Sequence, residues 1–242
     1  MRLARIALPT GAAVHAVPVD GGWQPVADPY EVFARGVEPE PVGAVFADAQ
    51  LLPAAAPTVV VGIAQPAEPG GAIGAWLKSP RTVAASGAQV TARRDAGRTV
   101  IEGEVAVVIG RSTRGLTAAT AREYVLGVTA VNDVSSPDRP DIRNFEVKGG
   151  EGYTPLGPWI DTAADPETAE LIVRIDGVER VRTGARELPA SVAECLAYVA
   201  AWVELGPGDV VMTGAPRSAF PIELPAVVEI TVAGVPLVNR FV

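Results

Sequence analysis

The chain has 242 residues, a formal net charge of −8, 48% hydrophobic residues and 20% charged residues, which places it among globular proteins able to bury a sizeable core. An acidic chain is a poor match for a phosphate backbone, which is held by clustered Lys and Arg, so a nucleic-acid partner is not expected. With Cys195 as the single cysteine, an internal disulfide framework and a thiolate metal cluster are both excluded, and its neighbours suggest a buried helix position. The opening Met1-Arg2-Leu3-Ala4-Arg5 leads into alternating residues rather than a continuous apolar stretch, so no membrane partner and a cytoplasmic location are expected.

In chain order, Arg2 to Leu8 and Ala13 to Val19 alternate between apolar and polar positions and are separated by turn residues. They predict short antiparallel strands in a small N-terminal β lobe covering residues 1–55. An Ala/Pro-rich connection from Leu51 to Pro57 follows, and the β-branched run Thr58 to Ile63 opens a main domain of residues 56–242. Further strands are expected at Thr99 to Ile109, Tyr124 to Val131, Leu171 to Ile175, Val210 to Met212 and Val227 to Val232. Helical pattern is confined to Thr117 to Glu123 and to Ser191 to Leu205, where Ser191 reads as an N-cap and Gly206 as the stop. The expected fold class is α+β, mostly β, built from mixed sheets with few helices.

The segment richest in chemistry is Ile101-Glu102-Gly103-Glu104-Val105. Residues two apart on a strand share a face, so Glu102 and Glu104 project side by side, and like charges so placed repel unless a cation neutralises them. A third acid, Asp133, ends the next strongly apolar strand. Three carboxylates without His or Cys describe a hard-cation site suited to Mg²⁺, with Mn²⁺ or Ca²⁺ as alternatives. On spacing alone the ordinary reading of Glu-x-Glu is a solvated strand face.

Several separate segments alter that balance, because in the same order they resemble the fumarylacetoacetate hydrolase superfamily. These are Trp76-Leu77-Lys78-Ser79-Pro80, Glu102-Gly103-Glu104, Asn132-Asp133-Val134-Ser135, Lys148, Pro155-Leu156-Gly157-Pro158-Trp159, Gly206-Pro207-Gly208-Asp209 and Thr213-Gly214-Ala215-Pro216. The resemblance implies a β-roll or sandwich core and a homodimer. It also implies metal ligands at Glu102, Glu104 and Asp133, Mg²⁺ or Mn²⁺ as cofactor, and Lys148 aimed at the substrate.

The pattern departs where carbon–carbon hydrolases of the family carry an Asn-Tyr-x-x-His stretch; here Gly62-Ile63-Ala64-Gln65-Pro66-Ala67-Glu68 contains no histidine. Glu68 falls near the missing base and is either a catalytic acid or an exposed loop acid. His15, the one histidine, reads as a surface or turn residue of the small lobe. Pro137 and Ala215 replace residues that contact substrate in many members, so Lys78, Arg139 and Arg143 are candidates for substrate carboxylates, together with Thr213. Glu151 occupies a place where it could support the site from behind. Trp76, Phe145, Tyr153 and Trp159 could line a pocket, although aromatic residues near strands are more often core.

The stretch Asn132 to Pro137, the link from Pro216 to Pro225 and the ending Val235 to Asn239 look closest to the bifunctional isomerase/decarboxylase branch of homoprotocatechuate breakdown. The reading is a divalent-metal-dependent enzyme that stabilises the enolate of a 2-oxo acid, as decarboxylase or isomerase of an unsaturated 2-oxo diacid. A hydrolase of acylpyruvate or fumarylacetoacetate type is the alternative, and a degenerate binding protein without turnover is the third.

Overall fold

The computed structural model describes residues 1–140 and 144–242. Among these, eighteen strands and three short α-helices form two mixed sheets, so the chain is mostly β, as the alternation and β-branched content predict. The strands are β1 (Arg2–Ala7), β2 (Ala13–Val19), β3 (Gly22–Pro25), β4 (Gln50–Leu51), β5 (Val60–Ala64), β6 (Gly74–Lys78), β7 (Val83–Ala85), β8 (Gln89–Val90) and β9 (Thr99–Ile109). They continue with β10 (Val125–Asn132), β11 (Thr154–Leu156), β12 (Trp159–Asp161), β13 (Glu170–Ile175), β14 (Val178–Gly184), β15 (Val210–Met212), β16 (Ala219–Ile222), β17 (Ala226–Val232) and β18 (Val235–Phe241). The helices are α1 (Pro29–Phe33), α2 (Phe145–Lys148) and α3 (Val192–Ala200).

The larger sheet runs β3-β2-β1-β12-β10-β9-β15-β5-β6, with β4, β7, β11 and β16 joined at its sides; the smaller runs β14-β13-β17-β18-β8. The long strand β9 is apolar on both faces beyond its acids because both faces are covered. Its odd residues Val105, Val107 and Ile109 join Val61, Ile63 and Val211 in the main core, against the smaller sheet and α3. Its even residues Ala106 and Val108 pack with Val60, Val131, Val210 and Met212 in a second core. Glu102 and Glu104 continue that even face.

Two expected helices differ from the structure. Thr117 to Glu123 yields only a 3₁₀ turn at Ala121–Tyr124, because seven residues between Gly115 and a strand cannot offset the cost of helix nucleation. The second helix starts at its Ser191 cap but ends at Ala200, well before Gly206. Tertiary pairing overrides the glycine signal: Leu205 exchanges hydrogen bonds with Thr113, its carbonyl accepting from the Thr113 N–H at 3.0 Å, which requires extended chain there. Cys195 is buried on α3.

The N-terminal strands belong to the larger sheet, since β1 pairs antiparallel with β12 from Arg2↔Asp161 to Ala4↔Trp159. The Ala/Pro-rich connection is packed rather than free: Ala54 and Ala55 are buried and the Ala54 N–H donates to the Gly157 carbonyl at 3.0 Å. His15 is not in a turn; it sits half-buried on β2 with its ring edge-on to Tyr30. Among the described residues no helix is long and apolar enough to cross a membrane.

Candidate active site

The three sequence-predicted acids meet. β9 and β10 pair antiparallel with Val131 opposite Glu104 and Asn132 opposite Gly103, and the Asp133 N–H donates to the Glu102 carbonyl at 2.9 Å, which sets Asp133 across from Glu102. Directly opposed residues share a face, so Glu102, Glu104 and Asp133 all point the same way. One carboxylate oxygen from each lies within 4.8 Å of the others. The glycine between the glutamates has a packing reason: a Cβ on Gly103 would come within 2.7 Å of Val173 Cγ2 on the smaller sheet.

Burial makes this arrangement costly as it stands. Glu104 is 1% exposed, and burial first, then the charges of Asp133 and Glu102, push its carboxyl well above the usual carboxylate range. The Gly214 N–H, donating to Glu104 at 2.7 Å, works in the opposite direction. Asp133 is fully buried; desolvation would raise it, but Lys78 and Lys148 together hold it below its ordinary value. Lys148 donates to Asp133 at 2.6 Å and to Glu102 at 3.0 Å, and these acids raise its pKa despite burial. The Ser135 hydroxyl donates to the same Glu102 oxygen, Oε1, that accepts from Lys148. Three carboxyl groups set against two ammonium groups in a nearly dry site could all ionise only with further positive charge, which is the donor chemistry a hard divalent cation fits.

Lys78 differs from its expected role. Its ammonium donates to Asp133, to the Val134 carbonyl at 3.1 Å and to the Tyr153 carbonyl at 2.6 Å, so none of its three donors is left for a substrate carboxylate. Thr213 is fully buried, and its hydroxyl is spent on the Val105 carbonyl at 2.9 Å, where it anchors the turn that presents Gly214. Glu151, expected to support the site from behind, is exposed in the turn before β11. Glu68 is exposed in the loop after β5. Arg139 is ion-paired with Glu146 near the surface, and Arg143 lies outside the described residues. Asp209 is structural: its carboxylate accepts from the Thr58, Val59 and Gly206 N–H groups.

Sequence reasoning missed Ser135, Gly214 and the buried Tyr153 carbonyl. Ser135 was within reach of the period-two argument, since it follows Asp133 by two residues on extended chain. A backbone N–H from Gly214, 110 residues away from Glu104, leaves no local signal.

Residues 55–242 match the fumarylacetoacetate (FAA) hydrolase C-terminal family. The chain belongs to the fumarylacetoacetate hydrolase family. Protein Rv2993c of Mycobacterium tuberculosis is 30% identical to it, with 97% of this chain and 95% of that protein covered. The crystal structure of 5-carboxymethyl-2-hydroxymuconate delta-isomerase from Mycobacterium smegmatis superposes with a TM-score of 0.89 at 33% identity, covering 100% of this chain and 99% of that one. The 4-hydroxyphenylacetate degradation bifunctional isomerase/decarboxylase of Salmonella dublin is 34% identical over 58% of this chain and 34% of its own length. These relatives include an isomerase and a bifunctional isomerase/decarboxylase, and the acidic triad sits within the matched segment.

Proposed function

We propose that this chain is a divalent-metal-dependent enzyme that stabilises the enolate of a 2-oxo acid, acting as decarboxylase or isomerase on an unsaturated 2-oxo diacid. The observation that carries the reading is the convergence of Glu102, Glu104 and Asp133 on one buried face, with an oxygen of each within 4.8 Å of the others. Mg²⁺ is the proposed ion, with Mn²⁺ as its substitute; held by these carboxylates it would supply an electron sink for a 2-oxo group. The same proposal includes a homodimer and a cytoplasmic location.

The chain's own groups divide the remaining work. Lys148 reaches both Glu102 and Asp133 from the end of α2, placed to hold substrate charge or to deliver a proton. Lys78, buried and saturated, keeps Asp133 ionised and fixed. Gly214 and Ser135 orient the two glutamates through hydrogen bonds. Arg139, at the surface with Glu146, is a candidate for the second carboxylate of a diacid. Hydrolysis is the second reading, with Glu68 as base; its exposed loop would have to close over the acids for that role.

The test is substitution of Glu104→Gln under controlled metal, with CO₂ release and enol absorbance followed for an unsaturated 2-oxo diacid and acid products followed for an acylpyruvate. Turnover of the diacid is expected to fall by more than about 100-fold, since even residues behind a metal ligand are worth 10–100-fold. Unchanged turnover would overturn the metal-dependent reading. Turnover of the acylpyruvate alone would favour the hydrolase.

A further inference from the structure

Trp76 occupies β6 directly opposite Gly62 of β5, and directly opposed residues share a face. Its indole lies flat over that glycine: a Cβ on Gly62 would stand 2.4 Å from Trp76 Cε2 and 2.7 Å from Nε1. Gly62 is therefore the residue that admits the indole to this face. Gly62 is paired in turn with Met212, and Met212 with Ala106, so the register carries Trp76 and Lys78 onto the face that bears Glu102 and Glu104. The Lys148 ammonium, which holds Glu102 and Asp133, stands 4.8 Å from the centre of the Trp76 ring. Such a position lies within the range of a cation–π contact.

The indole N–H is buried and, among the described residues, has no hydrogen-bond partner. Among the described residues four other buried polar side-chain atoms share that condition, on His15, Arg111, Thr183 and Asn239, and none of them belongs to the carboxylate cluster or its two lysines. A buried donor left unpaired costs on the order of 1–3 kcal/mol, and a tryptophan N–H usually finds an acceptor. Next to an ammonium group, the acceptor that suits it is an anionic oxygen, which would draw on both donors at once.

We propose that the Trp76 indole N–H is a substrate-recognition donor for a carboxylate oxygen of the 2-oxo acid, acting beside Lys148. The assignment rests on the functional reading above and adds a specificity-determining residue to it. Trp76 acts on binding rather than on bond making, because an indole N–H neither gives up nor takes a proton at neutral pH.

Oxalate with Mg²⁺, an analogue of a 2-oxo acid enolate, is the probe. In ¹⁵N-labelled protein the four indole N–H signals are assigned by replacing each tryptophan with Phe in turn. The Trp76 signal should move when oxalate is added to the Mg²⁺-loaded protein, while the signals of Trp23 and Trp202 stay in place. Trp76→Phe keeps an aromatic ring over Gly62 and removes the N–H donor. Calorimetry should show its oxalate Kd raised about tenfold, the equivalent of 1.4 kcal/mol, with Mg²⁺ affinity unchanged. If the wild-type protein binds oxalate while the Trp76 signal stays still, the inference is overturned and the metal-dependent reading survives; an unaltered oxalate Kd in Trp76→Phe has the same meaning. If the wild-type protein binds Mg²⁺ but no oxalate, both fall together. The wild-type signal decides the matter even if the Phe variant fails to fold.

Discussion

Lys78 and Lys148 carry the same side chain into the same cluster, and their environments give them different work. Lys78 spends all three donors on Asp133 and two carbonyls, whereas Lys148 bridges two acids and also faces an aromatic ring. Removing one member of a buried ion pair leaves its partner in low dielectric, at a cost of roughly 3–5 kcal/mol. Lys78→Met is therefore expected to lower unfolding stability by about that amount without added metal. Millimolar Mg²⁺ should restore part of it by returning positive charge to Asp133. Urea denaturation with and without Mg²⁺ checks both statements; a loss below about 1 kcal/mol would show that Asp133 does not depend on Lys78.

At the scale of the element, α3 shows how local rules and tertiary demands share control. Its start is set locally: the Ser191 side chain accepts from the Glu194 N–H at 3.2 Å, and the Glu194 carboxylate accepts from the Ser191 N–H at 2.8 Å. Glu167, from a different segment, accepts from the Val192 and Ala193 N–H groups at 3.0 and 2.7 Å. Ser191→Ala should therefore cost about 1 kcal/mol, the ordinary value of a lost N-cap, because Glu167 still satisfies two of the free donors. Chemical denaturation of the single variant and of Ser191→Ala combined with Glu167→Gln measures this. If the combined loss does not exceed the single one, Glu167 is not a second cap. The far end of α3 obeys no local signal, since the pairing of Leu205 with Thr113 sets where the chain must become extended.

For the whole molecule, the seating of the N-terminal strands on the larger sheet gives stability a dependence on pH. Burial first, and the nearby Arg5 charge second, lower the pKa of His15 from its ordinary 6.5. The sign follows from proton uptake: below about 6.5 the unfolded chain protonates this imidazole while the folded chain does not. Its contribution is thus present above pH 6.5 and is lost as pH falls toward the lower folded value. Thermal unfolding should accordingly show a smaller drop for His15→Phe than for the wild-type protein between pH 7.5 and 5.5, with the edge-on contact to Tyr30 kept. Equal drops in the two proteins would remove His15 as the source.

Sequence alone determined what depends on period and residue type. Alternation and β-branched runs fixed the existence of strands such as Ala13–Val19, Thr99–Ile109 and Val210–Met212, and two-residue spacing put Glu102 beside Glu104. The colinear motifs placed the chain in its family before any contact was visible. What needed the fold was every property that depends on distance between remote segments. Lys78 was read as a candidate for a substrate carboxylate, and its three donors go to groups 55 to 75 residues away. Glu151 was read as support and stands in solvent, and Thr213 was read as a substrate contact and is spent on the backbone of β9. The physical reason is that period records which face of an element a side chain takes, while burial, register across strands and the partner of each polar atom are set by packing between elements.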